Sequence, residues 1–293
     1  MPVRRWRVEK RAGVLMFHAG RCTLRIMNQP TCNLRRKYLA GFILIFAILL
    51  GAGVREYLVS TVLAQSQEWE PSIRKFEEDD KVNRPKLGGI VITGASSIRR
   101  WETLVADMKP LDVINRGFGG SQYSDLNEYA ERIVIVYRPR AVVVYEGDND
   151  LAGGSPKTPE MVANDAQQFV KIVYTELPET WIYIMSIKPS YLRWNEWPKM
   201  KAANKLIQDF VKTQDRVQYI DVATPMFEAQ DKPSRDLFVE DGLHPAPRCY
   251  ALWTWIIKPT LLQRFGPQKI VSRNASAPSW SSIQVENAIP SAR

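Results

Sequence analysis

Histidine is the scarcest reactive side chain in these 293 residues: only His18 and His244 occur. A multi-histidine zinc site in the body of the chain is thereby excluded, and imidazole chemistry there has to use His244. Cysteine is nearly as rare. Cys22 and Cys32 lie toward the amino end and Cys249 stands alone, too few for a disulfide framework. Cys249 reads as a small buried apolar side chain rather than a reactive thiol. A Gly-x-Ser-x-Gly elbow is missing too, so the α/β-hydrolase fold has no support.

Excess charge is missing from most of the chain. The formal net charge is +9, yet residues 1–38 hold ten Lys and Arg side chains against the single acid Glu9, which accounts for all of it. The remaining residues balance acid against base. A nucleic-acid-binding body needs a basic face to neutralise phosphates, so no nucleic-acid partner is expected. A hydrophobic fraction of 45% with 24% charged residues is ordinary for a globular protein.

Long apolar runs are limited to one, Leu39 to Val54 (LAGFILIFAILLGAGV), with Arg35, Arg36 and Lys37 directly before it and Arg55-Glu56 after it. As a helix it would span about 24 Å, slightly short of a bilayer core, and Tyr38 and residues 57–64 can extend it. A signal anchor would keep the basic flank in the cytoplasm and export the body. A cleaved signal peptide, ending near Val62-Leu63-Ala64, and a twin-arginine signal at Arg35-Arg36 compete with it. The anchor is favoured because charges follow the run so closely. The expected organisation is a basic cytoplasmic arm at 1–38, a transmembrane anchor or signal at 39–64 in the inner membrane, a folded body at 65–266 and a disordered Ser/Ala/Pro-rich tail at 267–293. Met27 offers a second start. The body is expected to be extracytoplasmic (periplasmic), or secreted if the signal is cleaved.

Within the body, Ile73 and Phe76 predict a short amphipathic helix near 71–80. Five β-branched runs follow: Gly89–Thr93, Val113–Asn115, Ala141–Tyr145, Trp181–Ile187 and Val217–Val222. Helical stretches separate them, at Trp101–Met108, Asp125–Tyr137, Thr158–Leu177 and Pro198–Thr213, with Tyr250–Phe265 last. This alternation predicts an α/β fold around a mostly parallel sheet covered on both faces.

Ligands of open α/β sheets bind beyond the carboxyl ends of the strands. There the sequence places Gly94-Ala95-Ser96-Ser97, then Asn115-Arg116-Gly117-Phe118-Gly119-Gly120-Ser121, then Gly147-Asp148-Asn149-Asp150, and beyond the fifth strand Asp241-Gly242-Leu243-His244. A serine hydroxyl needs a base to become a nucleophile, and His244 is the imidazole available for that. Asp241, three residues earlier, can orient the ring. The backbone N–H groups of Ser96 and Gly120 and the side-chain amide of Asn149 can serve as oxyanion donors. Taken singly, each has a structural reading: Ser96 and Ser97 as helix caps, the glycines as turn formers, Asp148 and Asp150 as solvated loop acids, His244 as a structural histidine. Their joint placement favours catalysis.

This set resembles the SGNH (GDSL-type) hydrolase family over roughly residues 68–265. The first block, Gly94-Ala95-Ser96-Ser97-Ile98-Arg99-Arg100-Trp101, aligns the family nucleophile with Ser96, although Ala95 stands where many members carry Asp. Gly120 matches the oxyanion glycine of the second block, Asn149 the asparagine of the third, and Asp241 and His244 the last. Ile187-Lys188-Pro189-Ser190 and Ala203-Asn204 look like an extracytoplasmic subgroup. The resemblance implies a flavodoxin-like three-layer α/β/α sandwich with five parallel strands in order 2-1-3-4-5. It further implies a Ser96–His244–Asp241 triad, ester hydrolysis, and neither metal nor organic cofactor. An O-acetyl or short acyl ester of an envelope glycan or lipid is the expected substrate. An acyltransferase using the same triad and a catalytically silent envelope module are the alternatives. Trp194 and Trp197, after the fourth strand, are candidate substrate-binding rings, with packing as the competing role.

Overall fold

The computed structural model describes residues 8–11, 14–19, 22–25, 68–227 and 231–267. The chain divides into two compact units, Met1–Gln67 and Glu68–Arg293. The first contains three short antiparallel strands, β1 (Val8–Arg11), β2 (Val14–Ala19) and β3 (Cys22–Arg25), in sequential order. Val8 pairs with Phe17, and His18 with Thr23. The sequence was expected to form an unpatterned arm here. The signal it carries is that each strand pair is separated by two residues including a glycine, Gly13 or Gly20, the usual spacing of tight hairpins. The apolar run at 39–64, the alternative start at Met27 and the tail from 268 lie outside the described residues. Among the described residues, no helix is long and apolar enough to cross a membrane.

The second unit begins with helix α1 (68–82), which extends the predicted amphipathic turn at both ends. Five strands follow: β4 (Ile90–Gly94), β5 (Val113–Gly117), β6 (Ala141–Tyr145), β7 (Trp181–Met185) and β8 (Val217–Ile220). They form one parallel sheet ordered β5-β4-β6-β7-β8, the expected 2-1-3-4-5. Strands β4 and β6 are buried at every residue. A strand covered on both faces has no polar side, so it reads as a continuous apolar run.

Side chains alternate strictly between the two faces. Val91, Val142, Val144, Ile182 and Ile184 face one core. That core is filled by α1, α4 (Tyr123–Ile133), α5 (Pro159–Glu176) and α6 (Trp197–Val211). Ile90, Ile92, Val143, Tyr145, Tyr183 and Met185 face the other. There they meet α2 (Ser96–Arg99), α3 (Leu104–Asp107) and α7 (Pro247–Phe265). The three-layer sandwich is thus written in period-2 alternation. Trp101 joins the second core: it is fully buried, stacks on Tyr250 at 5.1 Å between ring centres and meets Trp253 edge-on at 6.0 Å. Cys249 is buried beside them, and desolvation pushes its thiol up to about 12, which makes it the inert side chain expected.

Candidate active site

Strand β4 ends at Gly94, whose φ is +139°; a Cβ there would stand 2.0 Å from the carbonyl oxygen of Tyr145. Only glycine lets the chain turn this tightly against β6. The turn delivers Ser96 as the first residue of α2, where helical geometry leaves backbone amides without intrahelical partners. Two bonds fix α2 from opposite sides. Asn115 Nδ2, from β5, donates to the Ile98 carbonyl at 2.8 Å. The Tyr250 hydroxyl, from α7, donates to the Ser97 carbonyl at 3.0 Å. The helix that carries the nucleophile candidate is therefore tied to both β5 and α7.

His244 arrives from the loop before α7. Its backbone carbonyl accepts from Val239 N, and Phe238 and Pro245 pair across the loop. His244 Nε2 lies 3.0 Å from Ser96 Oγ, and Nδ1 lies 2.6 Å from Asp241 Oδ2. Asp241 Oδ1 accepts from the amides of Leu243 and His244 at 2.8 and 2.9 Å. Partial burial alone would raise the Asp241 carboxyl. The hydrogen bonds from the His244 ring and from the two amides outweigh it and hold the group well below the usual carboxylate range. Asp241 is therefore an anion that presents Nδ1 as the protonated ring nitrogen, which frees Nε2 to accept from the serine.

The second half of the site is the turn after β5. Gly120 has φ +89°, and an added Cβ would meet Trp69 Cη2 at 2.7 Å. The Trp69 ring, from the first turn of α1, thus lies directly against this turn. The next residue, Ser121, is fully buried, with Oγ 2.9 Å from the Phe118 carbonyl and 2.6 Å from Glu146 Oε1. Glu146 is buried as well, and desolvation followed by the nearby charge of Asp150 pushes its carboxyl well above the ordinary range. A serine hydroxyl has one proton. The hydroxyl proton is shared between the Phe118 carbonyl and the Glu146 carboxyl, and the bond to Ser121 opposes part of the upward shift of Glu146. The Ser121 carbonyl then accepts from Asn149 Nδ2 at 2.8 Å, which brings the asparagine beside Gly120.

Asp148 and Asp150 are not solvated loop acids. Asp148 is buried between Lys188, 2.7 Å away and fully buried itself, and Arg193. Burial alone would raise its carboxyl, but the two cations prevail and bring it down to about 2. Asp150 is paired with Lys157 at 2.8 Å and accepts from the Tyr123 amide. Arg193 also donates to Asn149 Oδ1 at 2.9 Å.

The structure therefore brings Ser96, His244 and Asp241 into contact and sets Asn149 next to the Gly120 turn. Trp194 and Trp197 both pack on Phe227, at 6.3 and 5.4 Å, and Trp197 is buried. Trp69, Glu146, Lys188 and Arg193 were not singled out as site residues from sequence. Lys188 was visible only as part of the Ile187–Ser190 stretch. Trp69 had no local signal, because its contact with Gly120 joins segments far apart in the chain.

The sequence profile of the GDSL-like Lipase/Acylhydrolase family matches residues 84–252, more than half of the chain and all of this sheet edge except the Trp69 turn. The chain belongs to that family. It is an ester-hydrolysing enzyme of the GDSL type, and its five-stranded sheet is shared with solved structures. A GDSL-like lipase from Bacteroides thetaiotaomicron superposes with a TM-score of 0.58 at 17% identity, covering 65% of this chain and 97% of that one. A protein from Streptococcus pneumonia, provisionally described as a platelet activating factor, gives 0.59 at 19% identity, covering 69% and 97%. A Bacteroides fragilis protein provisionally described as an acylhydrolase gives 0.56 at 18%, covering 63% and 93%. At such identities these three establish the fold alone. No curated protein matches the chain significantly.

Proposed function

We propose that this GDSL-type enzyme is a membrane-anchored, extracytoplasmic serine esterase that uses a Ser96–His244–Asp241 triad. The observation that carries the triad is the 3.0 Å approach of His244 Nε2 to Ser96 Oγ, with Asp241 at 2.6 Å on the opposite ring nitrogen. Ser96 Oγ attacks the ester carbonyl carbon as its proton passes to His244 Nε2, and the carbonyl π electrons move onto oxygen. The oxyanion is received by the amides of Ser96 and Gly120 and by Asn149 Nδ2. The intermediate then collapses. The bond to the alcohol oxygen breaks, that oxygen takes the proton from His244, and an acyl group stays on Ser96. Water, deprotonated by His244, attacks the acyl carbon; release of the acid returns the proton to Ser96. Asp241 stays ionised throughout and stabilises the imidazolium.

The anchor reading is supported by the apolar run at 39–64 and by the basic side chains packed ahead of it, which the positive-inside rule places in the cytoplasm. A body exported in this way would meet acetyl or short acyl esters of envelope glycans or lipids, with the partly exposed Trp194 as a candidate wall for the alcohol portion, while Trp197 takes the packing role in the core. Fluorophosphonate labelling of the membrane fraction, followed by mass spectrometry, tests both parts together. The modified peptide should contain Ser96, and the label should stay with the membrane through a carbonate wash. Label on another serine, or undiminished hydrolysis of p-nitrophenyl acetate by Ser96→Ala, overturns the triad. Label released from the membrane by the wash overturns the anchor and leaves the triad standing.

A further inference from the structure

An asparagine in an oxyanion hole has an orientation problem. Its oxygen and nitrogen are nearly the same size, and turning the amide over replaces a donor by an acceptor. In the wrong orientation Asn149 would aim a carbonyl dipole at the developing negative charge and oppose the reaction. The contacts around Asn149 permit only one orientation. The Ser121 carbonyl can only accept, and Asn149 Nδ2 donates to it at 2.8 Å. A guanidinium can only donate, and Arg193 Nη2 donates to Asn149 Oδ1 at 2.9 Å. One N–H of the amide remains for the substrate oxygen.

The guanidinium is itself fixed. Its other terminal nitrogen, Nη1, pairs with Asp148, which Lys188 holds from the opposite side at 2.7 Å. Its planar fork thus bridges two consecutive side chains, Asp148 and Asn149, a geometry that a lysine ammonium cannot reproduce. The loop that carries Arg193 is pinned in turn. The amides of Tyr191 and Leu192 both donate to the Gly242 carbonyl, at 2.9 and 3.1 Å, and Gly242 sits between Asp241 and His244. One loop therefore ties the asparagine to the histidine turn.

We propose that Arg193 is a positioning residue of the oxyanion hole: it locks the Asn149 amide with its N–H face toward the reacting carbonyl and couples that donor to the His244 loop. The proposal rests on the reading of Asn149 as an oxyanion donor. Its role is confined to the tetrahedral intermediate and the transition states on either side of it, because the negative oxygen develops only there and is absent from the bound ester.

The test is a double-mutant cycle in the full-length protein with p-nitrophenyl acetate, using Arg193→Ala, Arg193→Lys, Asn149→Ala and the combination of Arg193→Ala with Asn149→Ala. Arg193→Lys keeps a cation beside Asp148, which guards against loss of the fold, yet removes the bond to Asn149. Both Arg193 variants should lose about 10- to 100-fold in kcat with KM nearly unchanged, somewhat less than the loss of a whole oxyanion donor. In the Asn149→Ala background, Arg193→Ala should cost about threefold or less, since the group it orients is gone. Millimolar guanidinium should restore part of the kcat of Arg193→Ala and nothing in the double variant. Full and independent multiplication of the two losses overturns the positioning role while leaving Asn149 as a donor. Wild-type kcat in Asn149→Ala overturns both the donor assignment and the proposal.

Discussion

Ser96 Oγ and His244 Nε2 meet at 3.0 Å although 148 positions separate them in the chain. The serine is placed by the end of the first sheet strand, the histidine by a loop that closes just before the last helix. Their contact forms only when the sheet, α2 and α7 are assembled. Loss of either partner should therefore spare the fold and remove the chemistry. Ser96→Ala and His244→Ala are each expected to lower kcat at least about 10³-fold, with the thermal midpoint essentially that of the parent in a melt followed by circular dichroism.

Asp241 separates orientation from charge. Asp241→Asn keeps the size of the side chain but lets the ring adopt the wrong tautomer, so kcat should fall by about 10³- to 10⁴-fold at neutral pH. The anion also stabilises the fold. Its folded carboxyl titrates below its unfolded value, so that stability is complete above the ordinary carboxylate range and is lost as pH falls through it. Urea midpoints should show the parent losing its advantage over Asp241→Asn between about pH 5 and pH 2. An advantage that persists unchanged to pH 2 would contradict the hydrogen-bonded anion.

Glu146 should behave in the opposite sense. Its folded carboxyl is raised, so the folded state holds a proton that the unfolded chain releases, and stability declines as pH rises above the unfolded value of 4.5 toward the folded one. Glu146→Gln keeps an amide oxygen to accept from Ser121 and removes this decline. The variant should gain in thermal midpoint relative to the parent between pH 5 and pH 8 and retain most of its esterase activity. A loss of stability on replacement, growing with pH, would mean that Glu146 is buried as an anion.

The Asp148–Lys188 pair is buried on both sides. Removing one partner strands the other in a medium that solvates charge poorly, so Lys188→Met is expected to cost about 3 kcal/mol or more, with Arg193 sparing part of it. The Asp148 carboxyl is held at about 2, against 3.8 when free, so its contribution is present above about pH 4 and lost toward pH 2. Acid titration of the parent against Lys188→Met should show the two curves converging in that window.

Gly120 carries two constraints at once, a positive φ and contact with Trp69. Gly120→Ala should cost about 1–3 kcal/mol in a denaturant melt and reduce kcat by displacing the amide proposed to receive the oxyanion. If the ring is responsible for part of the cost, adding Trp69→Ala should restore part of the stability, so the two changes are non-additive. Strict additivity would place the whole cost in the backbone.

Much of the molecule was legible in one dimension. Strands β4 and β6, buried on both faces, have to be apolar throughout, so runs such as Ala141–Tyr145 mark themselves, and the helices between them dictate a parallel sheet. In parallel sheets ligands gather at the carboxyl ends, which is why Ser96, Gly120 and Asn149 could be picked out from their places after strands, and Asp241 and His244 from their spacing. The short strands β1 to β3 were missed because two-residue hairpin signals at Gly13 and Gly20 are brief and lie in a strongly basic stretch.

What the chain alone determined, then, is the layer order and the chemical types present at one edge, because periodicity and strand ends are local properties. Only the folded structure decided how those groups act on one another. Asp148 looks like any loop acid until Lys188 and Arg193 close around it. Glu146 is an ordinary carboxylate until burial takes its water away and pushes its carboxyl upward beside Ser121. Asn149 has no preferred orientation until Arg193 and the Ser121 carbonyl reach it from opposite sides. Ionisation and amide orientation depend on neighbours and desolvation, and both come from segments that are brought together only by the tertiary fold.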